Sequence, residues 1–327
     1  MTSTTTTPQR GVLASFAFLL ISMLSAQALA HYNCASLGLQ CFNEGPLSYS
    51  ITSGTTVEVR CSGQVGRGCG GSGKKDIVIP ATVKHKGTTY SVTAIGRYGL
   101  SISGLTSVII PDSVTTIGEE AFQGNFLTSV IIPDSVTSIG EEAFFRNALN
   151  SVLIPDGVTT IGRKTFSENA LTSVIIPDSV TTIGNGAFGD NALTSVTIPD
   201  SVTTIGNFAF YNNVLTSVII PDSVEAIGLG TFGLNALISA VFEGNFGGFE
   251  LDMFEYNADL ATITYAQGAS GWDAPLRVFM PDTGPTGSVT AEAAVPAATP
   301  VPTGPLWLLG IMAGLLSLVG ISKLRKA

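Results

Sequence analysis

The sequence predicts a β-rich solenoid, an array of stacked 22-residue units joined by short helical or irregular segments. The first observation behind this prediction is a proline that recurs every 22 residues, each time followed by aspartate: Pro111, Pro133, Pro155, Pro177, Pro199 and Pro221. A fixed period of this length is typical of solenoids, in which one coil cannot bury its apolar face alone. The second is composition. Of the 327 residues, 45% are hydrophobic, 12% are charged and 37 are glycine, which favours many turns around a continuous core.

Six positions of the repeat hold a single apolar residue type in all six copies, and we expect them to be buried. Two of these columns begin at Val108 and Ile110, so they share one face of a strand that ends at the proline. The column between them accepts threonine and is predicted to point outward: Ile109, Ile131, Leu153, Ile175, Thr197 and Ile219. An exposed apolar stripe indicates an interaction surface, although isoleucine also simply suits a strand. These six residues are the candidate binding residues.

The second half of each repeat predicts a turn, a short strand and a buried phenylalanine. Proline ends the first strand because it cannot donate to a ladder, and the following aspartate can accept hydrogen bonds from backbone N–H groups ahead of it. The run Val-Thr-Thr-Ile then ends at an unvarying glycine, which indicates a turn conformation that is costly for other residues. An asparagine column near the end of the repeat predicts an amide ladder. The variable positions after the glycine form a second candidate surface, which includes Glu119, Arg163, Lys164, Asn185 and Phe208.

The repeat unit, L-T-S-V-I-I-P-D-S-V-T-T-I-G-x-x-A-F-x-x-N-x, closely resembles the BspA-like leucine-rich repeat family over about residues 76–271. The resemblance implies a right-handed leucine-rich repeat coil array. Because members of that family include adhesins of host matrix or of other cells, it also implies a binding function with a protein or glycan ligand.

Both ends of the array predict capping segments. Residues 76–236 form the solenoid, with Val83–Tyr90 as a hairpin inserted in the first coil, and residues 237–272 keep the repeat spacing without Pro-Asp, as a degenerate capping coil. Residues 31–75 predict an N-terminal cap that contains a β-hairpin and all four cysteines: Cys34, Cys41, Cys61 and Cys69. An even count in an exported segment predicts two disulfides. Three pairings are possible, of which neighbour pairing is preferred, and a zinc site is disfavoured because no Cys-x-x-Cys spacing is present.

The termini predict export. Residues 1–30 have the charged, apolar and small-residue regions of a signal peptide, and residues 273–305 predict a Pro/Ala/Thr-rich linker. Residues 306–327 combine an apolar helix with a basic tail. With Val301-Pro302-Thr303 before it, this segment resembles the PEP-CTERM and IPTL-CTERM sorting signals of Gram-negative bacteria. That resemblance implies an exosortase-type processing enzyme and a precursor held in the inner membrane, whereas an ordinary single-pass anchor is the alternative.

The residues that carry chemistry are sparse. A net charge of -9 argues against nucleic acid as a partner, because phosphates require a basic surface. The two histidines are far apart and predicted to be exposed, and the acid pairs Glu119-Glu120 and Glu141-Glu142 are predicted to face solvent. The aspartate column could form a calcium edge, but turn capping explains it without metal. We therefore expect no catalytic residues, no metal and no cofactor. The predicted function is an exported adhesin or binding module, and the alternative is a structural component of the envelope or biofilm matrix.

Overall fold

The computed structural model describes residues 40–44, 46–60, 75–244, 251–260, 262–265 and 290–293, which lie in one compact unit spanning Met1–Ala293. The predicted signal peptide, the sorting motif Val301-Pro302-Thr303 and the apolar segment 306–327 lie outside these residues. Cys34, Cys61 and Cys69 also lie outside them. Cys41 is the first residue of strand β1 and is not a free thiol, and the pairing of the four cysteines stays a prediction. Within the described ranges, no helix is long and apolar enough to cross a membrane.

The described residues form short strands and one 3-10 helix, Leu251–Phe254, with no α-helix among them. The strands are β1 (Cys41–Glu44), β2 (Leu47–Ser53), β3 (Thr56–Arg60), β4 (Lys75–Val78), β5 (Thr82–His85), β6 (Thr88–Ile95), β7 (Leu105–Ile109), β8 (Thr116–Ile117), β9 (Ser138–Ile139), β10 (Thr160–Ile161), β11 (Thr182–Ile183), β12 (Thr204–Ile205), β13 (Ser217–Ile220), β14 (Ala226–Ile227), β15 (Ser239–Phe242), β16 (Thr262–Tyr265) and β17 (Thr290–Ala293).

Parallel pairing between residues 22 apart confirms the predicted solenoid. In the strands after the proline turn, Thr160 pairs with Thr182 and Thr182 pairs with Thr204. In the strands before it, Ile109 bridges Ile131, and Ser217 pairs with Ser239. Each coil therefore supplies two extended segments, and each segment stacks on its counterpart in the next coil.

A third hydrogen-bonded ladder occupies the segments that the sequence predicted to be either helical or irregular. The N–H groups of Glu120, Phe122 and Gly124 donate to carbonyls of the next coil at 2.8–2.9 Å. Two of these three residues have positive φ, 54° at Glu120 and 66° at Gly124, and the same two positions recur in the other coils. The left-handed residues interrupt the backbone conformation that a helix requires, and every second N–H of the segment donates to the next coil in place of an i→i−4 partner.

At five of its six positions, all except Gly162, the unvarying glycine is required for close approach and not for a left-handed turn, which corrects the reason expected from the sequence. A Cβ at Gly140 would lie 2.4 Å from the nitrogen of Glu119 in the preceding coil, and one at Gly184 would lie 2.8 Å from the Gly162 carbonyl carbon. Neither glycine has positive φ. Backbones of successive coils meet here, and any side chain would separate them.

The core follows the predicted columns. Seven phenylalanines, Phe122, Phe144, Phe166, Phe188, Phe210, Phe232 and Phe254, are fully buried and form a continuous stack with ring centroids 5.2–5.9 Å apart. Leu100 occupies the same position in the coil before them. The six predicted apolar columns are therefore inside the solenoid, apart from Val196 and Ile227, which are partly buried against the core.

The asparagine column forms the predicted amide ladder. Asn169 Oδ1 accepts the N–H of Leu149 at 3.0 Å, while its Nδ2 donates to the carbonyls of Phe144 and Phe166 at 3.0 and 3.1 Å. The same bonds recur in the other coils, from Asn125 to Asn257. One amide thus satisfies backbone groups in two coils at once, where the chain turns inside the solenoid.

The N-terminal cap continues the solenoid sheet. The predicted hairpin is present as β2 and β3, and β3 then pairs in parallel with β6. The predicted inserted hairpin is β5–β6, closed by Lys86 and Gly87 with φ of 48° and 83°. His85 does not stand alone in solvent, because its ring stacks on Phe42 with centroids 4.1 Å apart.

At the other end, the sheet extends further along the chain than residues 237–272. β16 pairs in parallel with β15, and β17 pairs in parallel with β16. β17 lies within residues 273–305, the segment predicted as a linker. Phe254 and Asn257 are fully buried at their repeat positions, so the coil without Pro-Asp keeps the internal architecture.

Candidate functional site

The six predicted binding residues are all exposed on one face of the strands before the proline turn. The five apolar members are 54–74% exposed, with Ile131 the most accessible. Their neighbours on either side, such as Val130 and Ile132, are buried, because successive side chains of a strand point to opposite faces. Val78 of β4 pairs with Ile109 and is 65% exposed, so it extends the column toward the N-terminus. We call these seven residues the strand-face stripe.

Small hydroxyl side chains border the stripe. Ser107, Ser129 and Ser151 occupy the outward position two residues before it in successive coils, and all three are exposed. From β7 to β13 the face therefore carries branched apolar side chains beside a row of serines, and the one charged side chain of the two columns between β4 and β13 is Asp76 of β4, which accepts a hydrogen bond from Ser107 Oγ at 2.8 Å. A rigid surface of this composition favours contact with an apolar or neutral surface.

The turns that follow the glycine form a second surface, which we call the turn surface. Charged side chains lie on its N-terminal part. Arg97 pairs with Glu119 at 2.8 Å, and Arg146 pairs with Glu168 at 2.7 Å, each 22 residues apart. Arg163 contacts both Glu141 and Glu142. The acid pairs thus do not simply face solvent, as the sequence suggested, since three of their four members bind arginine.

Glu120 is the remaining member of those pairs, and it is half-buried. Burial, with a smaller contribution from Glu142, raises the pKa of its carboxyl to about 6. A hydrogen bond with Tyr98 acts in the opposite direction. This carboxyl therefore titrates in the mildly acidic range.

Aromatic rings replace the charges in the C-terminal part of the same surface. Phe145 and Tyr211 occupy the same repeat position, but Phe145 is buried beneath the cationic groups of Arg146 and Lys164, 5.0 and 5.2 Å from its ring centre. Tyr211 instead packs edge-on against Phe208, with centroids 5.5 Å apart. Phe208 is 39% exposed, and Tyr256 nearby is 45% exposed.

Polar groups surround these rings. Burial raises the pKa of Tyr211, and the proximity of Glu255, Tyr256 and Asp190 raises it further. Asn212 Nδ2 donates to Asp190 Oδ1 at 2.7 Å. Of the predicted variable positions, Phe208 therefore lies in an aromatic cluster, which sequence analysis missed because its members are separated by 3 to 48 residues of sequence.

The aspartate column does not cap the turn that follows the proline. All six aspartates are exposed, and none makes a side-chain hydrogen bond to another described residue. The turn is closed instead by the backbone, for example by the Val136 N–H and the Pro133 carbonyl at 3.0 Å. The following serine adds a bond between coils, from Ser135 Oγ to the Val114 carbonyl at 2.7 Å. Among the described residues, no group of three His, Cys, Asp or Glu side chains could hold a metal ion.

A stacked parallel fold with two continuous surfaces defines a repeat protein. The family model described as BspA type leucine rich repeat region (6 copies) matches residues 83–170 and 159–273. The chain therefore belongs to the BspA-type leucine-rich repeat family, a class of generally non-catalytic repeat proteins.

The chain is also similar to solved leucine-rich repeat structures. The chain is similar to a leucine rich cell surface protein from Faecalibacterium prausnitzii A2-165, with 28% identity, 69% of this chain and 70% of that chain covered, and a TM-score of 0.54. It is also similar to a leucine-rich repeat protein from Bacteroides ovatus ATCC 8483, with 24% identity, 68% and 70% covered, and a TM-score of 0.46. A leucine-rich repeat protein from T. pallidum is 23% identical, with 60% and 89% covered and a TM-score of 0.45. No curated protein matches the chain.

Proposed function

We propose that this chain is an exported, surface-displayed, non-enzymatic protein that acts as an adhesin or binding module through the strand-face stripe. The observation that carries the proposal is the exposure of isoleucine and leucine side chains along consecutive coils, up to 74% at Ile131. Soluble proteins rarely leave a continuous row of large aliphatic side chains in water unless another surface covers it. The similar F. prausnitzii protein, whose name places it at the cell surface, supports the proposed location.

The chain offers its own control for this face. Thr197 stands in the stripe position of one coil, so threonine is compatible with the strand there. Replacing Ile109, Ile131, Leu153 and Ile175 with threonine therefore removes the exposed apolar surface while leaving a β-branched side chain at each of these strand positions. We expect the variant to fold with an unchanged thermal midpoint, because these side chains are outside the core.

The assay is adherence of beads coated with the full chain to intact cells, measured against bead concentration. The wild type should bind saturably, and the fourfold variant should lose most of this binding, as a central apolar contact surface would. A fourfold variant in the unvaried serine column, with Ser107, Ser129, Ser151 and Ser173 changed to alanine, serves as the matched control. Unchanged adherence of the isoleucine variant would exclude the stripe as the binding face.

A second experiment addresses the alternative, a structural component of the envelope or matrix. Such a protein should self-associate and be released when extracellular polysaccharide is removed, without saturable binding to other cells. Sedimentation of the full chain and of the variant with threonine at the four stripe positions distinguishes the two roles.

A further inference from the structure

The C-terminal part of the turn surface brings the rings of Phe208 and Tyr211 together against two glycines, and Tyr256 lies close enough to Tyr211 to raise its pKa. A Cβ at Gly230 would lie 2.5 Å from Phe208 Cε1 and 3.0 Å from Glu255 Oε1. One at Gly233 would lie 3.0 Å from both Tyr211 Cδ2 and Glu255 Cγ. The two glycines therefore allow these side chains to lie directly against the backbone, where they remain partly exposed.

Phe208 is held in an unfavourable backbone conformation. Its φ is 58°, a value that is uncommon for a bulky residue, and the equivalent residues in the coils on either side are glycines, Gly186 and Gly230, with φ of 64° and 58°. The fold is thus compatible with glycine at this position, and an aromatic side chain adds strain. The same left-handed conformation occurs at Tyr98, Glu120, Glu142 and Lys164 in other coils, so it belongs to the repeat, and Phe208 is distinguished by its partly exposed aromatic ring.

The hydrogen-bonding groups around the rings are both donors and acceptors. Asn207 is exposed, and its Oδ1 accepts the Leu229 N–H at 2.9 Å. This bond fixes the amide, whose Nδ2 donates to no other described residue. Asp190 and Glu255 supply carboxylate acceptors, with Asp190 held by Asn212. The cluster therefore presents an aromatic platform together with fixed donors and acceptors.

The charges on these coils indicate which class of partner the cluster can bind. The sequence contains no Lys or Arg between Lys164 and Arg277, so no cation is available on these coils to neutralise an anionic ligand. A lysine or arginine side chain would leave the Asn207 amide donor unused, since these side chains donate hydrogen bonds but cannot accept them. A hydroxyl group does both, and the apolar C–H face of a sugar ring can pack on an aromatic ring.

We propose that Phe208, Tyr211 and Tyr256, with Asn207, Asp190 and Glu255, form a binding site for a neutral oligosaccharide. The aromatic rings contact the sugar rings, the amide donates to hydroxyls, and the carboxylates accept from them. This site is on the turn surface and does not depend on the strand-face stripe, so either proposal can fail without the other.

The test is isothermal titration calorimetry of the full chain with three neutral oligosaccharides: cellohexaose, maltohexaose and chitohexaose. Polygalacturonate and poly-L-lysine serve as anionic and cationic probes. Phe208→Gly removes the ring and also the strain, so this variant should keep its thermal midpoint. Tyr256→Asn places at this position the residue that Asn212 supplies in an earlier coil. Lys164→Gly is the matched control, because Lys164 holds the Phe208 position two coils earlier, outside the cluster.

We expect saturable binding of at least one neutral hexamer, weakened by about tenfold or more in Phe208→Gly and in Tyr256→Asn, and unchanged in Lys164→Gly. Three results would each overturn the proposal. The wild type could bind none of the neutral hexamers, the folded Phe208→Gly variant could bind as tightly as the wild type, or poly-L-lysine could bind at the cluster in place of the neutral sugars.

Discussion

Removing one ring from the phenylalanine stack should destabilise the solenoid strongly. Phe166 is fully buried and lies between Phe144 and Phe188, with centroids 5.5 and 5.7 Å away and ring planes within 10° of parallel. Burial of such a side chain stabilises by about 2–3 kcal/mol, and each aromatic pair adds about 0.5–1.5 kcal/mol. The cavity left by alanine costs more again, so we expect Phe166→Ala to lower the free energy of unfolding by about 3–5 kcal/mol. Equilibrium urea denaturation followed by circular dichroism measures the change.

Two further variants separate the stacking contribution from burial. Phe166→Leu installs the residue that Leu100 supplies at this position in the first coil, so it keeps most of the apolar volume and loses the ring contacts. Phe122→Ala removes a ring with one aromatic neighbour in the stack, Phe144. Both should cost less than Phe166→Ala, by about 0.5–1.5 kcal/mol or more. A loss below about 1 kcal/mol for Phe166→Ala would refute the stack as the core of the fold.

Three other predictions concern the polar interior, pH and processing. Asn169→Ala should reduce the free energy of unfolding by several kcal/mol, because each buried backbone group left unpaired costs on the order of 1–3 kcal/mol. Urea denaturation measures the change, and finding no loss of stability would contradict the ladder. Glu120 has a folded pKa of about 6 against an ordinary 4.5, so its contribution to stability is fully present below pH 4.5 and is lost as pH rises to about 6. Glu120→Gln should remove that part of the pH profile, and an identical profile in the variant would show that another group is responsible. The intact mass of the exported protein should correspond to loss of residues 1–30 and an end near Val301-Pro302-Thr303. Titration of the same protein should find no free thiol. A mass that includes residues 306–327 would indicate a plain membrane anchor.

Much of the fold follows from periodicity alone. A 22-residue repeat with unvarying apolar columns fixes which residues must be neighbours once coils stack, so the Phe166 stack, the Asn169 ladder and the outward orientation of Ile131 could all be predicted. Both hairpins could be predicted from a local pattern, because alternating apolar residues around a Gly-containing turn specify pairing between adjacent strands.

The reason for a repeated residue was harder to predict than its position. Gly140 is unvarying because a neighbouring coil's backbone passes 2.4 Å from where its Cβ would be, a contact that no local pattern reveals. The aspartate after each proline stays in solvent although its local spacing fits a turn cap, because the Pro133 carbonyl already closes that turn through the backbone.

The sequence by itself determined the solenoid, its period and the two surfaces that could carry function. Only the tertiary structure decided how the turn surface divides, with cationic side chains covering Phe145 in one part and an exposed cluster around Phe208 in the other. It also decided that β17 extends the sheet. The physical reason is that these contacts join residues from different coils at variable positions, where the repeat dictates proximity but not chemistry. Whether two such side chains pair, stack or remain in solvent depends on the backbone conformation and on the neighbours that stacking brings to each.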